Sequence, residues 1–114
     1  MKAELKSIDW CGRNPFDYIP ENQDDLHITL TCSIGIKGLD GADYFDINIS
    51  SPEYLAKSCF IDTILRNTLI VSEYDIKKII NIIHTYIDKC DGEDWTIISE
   101  KLSRYFFWEF EDYS

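Results

Sequence analysis

The stretch LHITLTCSIGIKG, residues 26–38, limits what this chain can fold into more than any other part of it. Leu26, Ile28, Leu30, Cys32, Ile34 and Ile36 fall on one parity; His27, Thr29, Thr31 and Ser33 fall on the other. Strand side chains alternate between faces, so this pattern predicts a β-strand with one dry face and one wet face. Lys37-Gly-Leu-Asp-Gly-Ala42 then supplies turn residues. DYFDINIS repeats the alternation, with Phe45, Ile47 and Ile49 against Tyr44, Asp46, Asn48 and Ser50. The two runs predict an antiparallel hairpin.

The flanking segments extend the pattern. AELKSIDW, residues 3–10, reads as a short strand, and CGRNPFDYIPENQDD, residues 11–25, as a loop with an Asn-Pro turn signal. Loops of that length often carry function. Ser51-Pro52-Glu53 is a helix start, with a capping serine, a proline at the first helical position and an acid suited to the helix dipole. It predicts a short helix over 52–58. NTLIV, residues 67–71, reads as a strand. Ser72-Glu-Tyr-Asp75 resembles a capping box and opens a helix to about Lys89, striped by Ile76, Ile79, Ile80, Ile83 and Ile87. Asp91-Gly92 stops it. Asp94 caps another helix, with Trp95, Ile98 and Leu102 on one side. The order β-β-β-α-β-α-α-β predicts an α+β fold: one domain over 1–114, a mainly antiparallel sheet and helices packed on one face.

The chain closes on RYFFWEFEDYS. Read as a strand, Phe106, Trp108 and Phe110 go under the helices. Tyr105, Phe107, Glu109 and Glu111 then share the open face with Thr29, Thr31, Tyr44 and Asp46. Aromatics on so polar a face are either anchors inside an acidic rim or a local cross-strand pair such as Phe107 with Tyr44.

Charge narrows the partners. Twenty-one acidic residues against 11 basic ones give a net charge of −10. That field opposes direct binding to nucleic acid or anionic membranes; it attracts a basic surface or simply serves solubility. The N-terminus MKAELKSIDW has no apolar core of a secretory signal, and no apolar run approaches the ~20 residues of a membrane span. Cys11, Cys32, Cys59 and Cys90 form no CxxC, and His27 and His84 sit at no ligand spacing from them. Reduced, mostly buried thiols are expected, with no metal or cofactor. The acidic stretches Asp40–Asp46 and Asp88–Asp94 depart from the calcium-loop pattern. No hydrolase, phosphate-loop, dinucleotide or zinc-protease motif occurs. Binding is favoured over catalysis.

MKAELKSIDW, SIGIKGLDGADYFDINISSPEYL, TLIVSEYD and GEDWTIISEKLSRYFFWEFEDY together resemble the immunity protein 8 family of bacterial polymorphic toxin and contact-dependent inhibition systems. The resemblance spans nearly the whole chain and is most specific in the IG-K-G turn, the S-P-x-x-L helix start and the W-E-F-E-D-Y close. It implies a cytoplasmic antitoxin that binds and blocks a cognate toxin domain, often a nuclease, and it carries over no catalytic or contact residues. The chain itself offers two partner-binding patches. One is the open sheet face with Tyr44, Asp46, Phe107, Glu109 and Glu111. The other is the long loop with Phe16, Tyr18, Glu21, Asp24 and Asp25. The rival expectation is an acidic adaptor or stress protein without a toxin, a homodimer burying its own sheet face.

Overall fold

The structure, a computed structural model, describes residues 1–22, 24–57 and 64–110. The two alternating runs form the centre of a five-stranded sheet. β1 (Ala3–Asp9), β2 (His27–Ile36) and β3 (Asp43–Ser50) pair antiparallel in chain order. α1 (Pro52–Lys57) follows, then β4 (Thr68–Ile70), α2 (Ile76–Ile87), α3 (Trp95–Leu102) and β5 (Phe107–Trp108). β4 runs parallel to the last part of β3, and β5 antiparallel to its first part. One edge of β3 is therefore shared end to end by two short strands. The element order and the α+β class are those the sequence predicts, with a short 3-10 turn (Pro15–Asp17) added inside the long loop.

Register explains why the sheet has a dry side. Ala3, Leu5 and Ile8 of β1 stand opposite Ile36, Ile34 and Cys32 of β2, and Cys32, Leu30 and Ile28 in turn stand opposite Phe45, Ile47 and Ile49 of β3. Against that face pack Ile79, Ile83 and Ile87 of α2, Ile98 and Leu102 of α3, and Phe106 just before β5, all buried. A bulge between Leu5 and Ser7 keeps both ends of β1 in phase with the core. The β2–β3 turn is closed by Gly35. A Cβ there would collide with the carbonyl oxygen of Gly41, so only glycine fits.

The helix ends are capped much as expected. Ser51 Oγ accepts from Tyr54 N at 3.2 Å, and Asp94 Oδ1 accepts from Ile97 N at 3.0 Å. One start moves. Asp75, not Ser72, is the N-cap of α2, because its Oδ1 accepts from Lys78 N at 3.3 Å. Position 58 of the predicted first helix lies outside the described residues, as do Cys59 and Glu111. Among the described residues no helix is long and apolar enough to cross a membrane.

The closing aromatic run departs most from a plain strand. Of its described residues only Phe107 and Trp108 form a strand paired with β3. Phe106 and Trp108 take the helix side, as parity requires, and Phe106 is fully buried. Phe110 does not join the core; it is 43% exposed and packs edge-on against Trp108 at 5.6 Å. Tyr105 is not on the open face either. It sits in the turn after α3 and packs on Tyr86 of α2, ring centres 4.8 Å apart. The strand begins too late to orient Tyr105 and ends too early to press Phe110 under a helix.

Candidate functional site

The face away from the helices is organised in rows that cross the strands. Asp9, Thr31, Asp46 and Phe107 form one row through β1, β2, β3 and β5. Ser7, Ser33 and Tyr44 form the next, and Glu109 joins it through a hydrogen bond from its backbone N–H to Tyr44 O at 3.0 Å. Farther along, Thr29 and Asn48 stand beside Thr68, and His27 and Ser50 beside Ile70.

Neighbours in these rows hold one another. Thr31 Oγ1 donates to Asp46 Oδ1 at 2.7 Å, and Thr29 Oγ1 to Asn48 Oδ1 at 2.8 Å. His27 Nδ1 lies 2.5 Å from Ser50 Oγ, with its ring stacked on Tyr54. Ser50 is consequently buried and not wet as alternation alone predicts. Such cross-strand pairs fix side chains that would otherwise sample several rotamers.

Of the first predicted patch, Tyr44, Asp46, Phe107 and Glu109 are brought together at one corner of this face, while Glu111 lies outside the described residues. Tyr44 is 57% exposed. Phe107 is opposite Asp46, so Tyr44 and Phe107 are diagonal neighbours, not a facing pair. The Arg66 guanidinium lies over the Phe107 ring, 5.2 Å from its centre. Sequence reasoning missed Asp9, Arg66 and Ile70 on this face. Asp9 looked like the end of an isolated strand, and only the β1–β2 register brings it into the Asp46 row.

The second patch is a preformed loop whose members divide. Tyr18 is wedged between Trp10 (ring centres 4.3 Å) and Tyr74 (5.0 Å), so it supports the loop from within. Tyr74 Oη donates to Pro15 O at 2.7 Å. Asp25 pairs with Lys57 at 3.1 Å. Phe16, Glu21 and Asp24 face outward, and Ile19, which the sequence did not single out, is 84% exposed.

Several titratable groups are committed to the fold. Burial, with Asp46 nearby, pushes the Cys32 thiol up to about 12, and burial raises Cys90. Such thiols remain protonated and poorly nucleophilic near neutrality. His84 is exposed on α2. In the two acidic stretches, Asp43 accepts from two tryptophans and Asp94 caps α3. A cleft of about 280 Å³ between α2 and the β4–β5 seam is lined by Ile47, Leu69, Ile83, Arg104 and Phe106, and among the described residues no carboxylate, histidine or thiol lines it. Among the described residues no cluster of metal-binding side chains occurs.

The family model described as immunity protein 8 matches residues 3–113. The chain belongs to the immunity protein 8 family. It is therefore an immunity protein, and its implied partner is a cognate toxin. No curated protein and no solved structure matches the chain. In this immunity protein the IG-K-G turn is the close approach of Gly35 to Gly41, and the S-P-x-x-L segment is the Ser51 cap of α1. Both motifs serve the fold.

Proposed function

We propose that this immunity protein neutralises its cognate toxin domain in the cytoplasm by forming a one-to-one complex, without chemistry of its own. The open sheet face is the contact surface, and the toxin is a nuclease whose phosphate-binding groove that face covers. The observation that carries the reading is the corner where Tyr44, Asp46, Phe107 and Glu109 meet on a rigid sheet. Aromatic anchors within an acidic rim suit a partner that is basic where it meets phosphate. A net charge of −10 steers such a partner inward. A rigid sheet also loses less entropy on binding than a loop does.

The test is co-expression of the toxin domain encoded beside this gene with the immunity protein in a sensitive host, followed by recovery of the complex. Protection with a stable complex supports the reading. Killing despite good expression of the immunity protein overturns it. The surface is tested separately: Phe107→Ala with charge reversal at Glu109 should abolish protection while leaving the fold intact. If affinity is unchanged in that variant, the contact lies elsewhere. A wild-type chain that dimerises through this face in place of binding toxin favours the adaptor alternative.

A further inference from the structure

Four neighbouring positions at the β3–β5 corner alternate in chemistry. Along β3 stand Asp46 and Tyr44; beside them, along β5 and its continuation, stand Phe107 and Glu109. The aromatics occupy one diagonal and the carboxylates the other. Facing positions lie about 5 Å apart and diagonal ones about 7–8 Å. Each ring thus has a carboxylate beside it on the neighbouring strand and another along its own.

The side chain that satisfies both chemistries at once is arginine. Its planar guanidinium stacks on an aromatic face and donates from its edges to carboxylates in the same plane. The corner already holds one, since Arg66 of this chain lies over Phe107 at 5.2 Å. The Tyr44 ring is 57% exposed. Asp46 is steadied by the Thr31 hydroxyl on Oδ1, so Oδ2 is left to accept. Glu109 is exposed and fixed to Tyr44 only by its backbone.

We propose that this corner is a receptor for one arginine of the partner, with its guanidinium on the Tyr44 ring and its N–H groups shared between Asp46 and Glu109. The proposal rests on the reading that the open face binds the toxin, and it names the partner group that the face selects. Lysine is disfavoured there because an ammonium is a compact point charge that cannot stack and reach two carboxylates together.

The experiment is calorimetric titration of the whole immunity protein with the neighbouring toxin domain, silenced at its own active site. Tyr44→Ala and Glu109→Gln should each weaken binding about tenfold, and Tyr44→Phe, which keeps the ring, should stay near wild type. In an Arg→Lys scan of the toxin, one substitution should weaken wild-type binding yet cost the Tyr44→Ala variant little more. Such non-additivity marks direct contact. Native circular dichroism for the variants is expected because both side chains are exposed. Full affinity of a Tyr44→Ala, Glu109→Gln double variant, with wild-type protection intact, overturns the arginine receptor and leaves neutralisation of the toxin standing. If the wild-type chain forms no complex at all, the functional reading itself fails.

Discussion

Trp108 donates its indole N–H to Asp43 Oδ2 at 3.1 Å, joining residues 65 apart in the chain. Trp95 donates to the same oxygen at 2.9 Å. One carboxylate at the start of β3 thus pins the first residue of α3 and the last of β5. It also positions the corner, because Trp108 lies between Phe107 and Glu109.

Asp43→Ala should leave both indole N–H groups without their acceptor and cost about 2–3 kcal/mol. Asp43→Asn keeps one acceptor oxygen and should lose less. Urea unfolding followed by tryptophan fluorescence measures both. An Ala variant with an unshifted midpoint would show that the tail is held by packing alone.

Phe106 and Phe110 share a parity but not an environment. Phe106 is fully buried, so Phe106→Ala should cost about 3–5 kcal/mol. Phe110 is 43% exposed, and Phe110→Ala should cost well under half as much. Equal losses at the two positions would contradict the short β5.

Tyr74 ties the long loop to α2. Tyr74→Phe removes its bond to Pro15 and should cost about 1 kcal/mol near neutrality. It should also speed proteolysis within residues 11–25. If cleavage stays at the wild-type rate, the ring stack alone holds the loop.

Alkaline pH should act through the same residue. Burial, then Tyr18, pushes the Tyr74 phenol from 10.0 up to about 12, and burial, then Asp46, pushes the Cys32 thiol from 9.0 up to about 12. Both are raised in the folded state, so their contribution is full below the unfolded values and is lost as pH climbs toward 12. Stability should fall from about pH 9 upward. Tyr74→Phe should flatten that fall between about 10 and 12, bringing the two curves together. Parallel curves would show that Tyr74 is not the titrating group.

Among the described residues the thiols divide by exposure. Cys11 is exposed, whereas Cys32 and Cys90 are buried and Cys90 Sγ donates to Tyr86 O at 3.3 Å. Iodoacetamide at pH 8, read by peptide mass spectrometry, should modify Cys11 before Cys32 and Cys90, and that buried pair only on unfolding. Prompt modification of Cys32 would place it nearer the surface.

What the sequence by itself determined is what periodicity and capping can encode. The alternation in β2 and β3, the isoleucine stripe of α2 and the Asp94 cap are local relations, each within a few residues of its partner. They sufficed for the element order, the dry face and the side on which Phe106, Phe107 and Trp108 lie. Only the tertiary structure decided which distant groups meet. It set Asp9 in a row with Asp46, carried Trp95 and Trp108 to Asp43, and placed Arg66 over Phe107. It also ended β5 before Phe110 and turned Tyr105 onto Tyr86. The physical reason is range. A side chain's parity follows from the backbone beside it, whereas its partner follows from register and crossover between strands many residues apart.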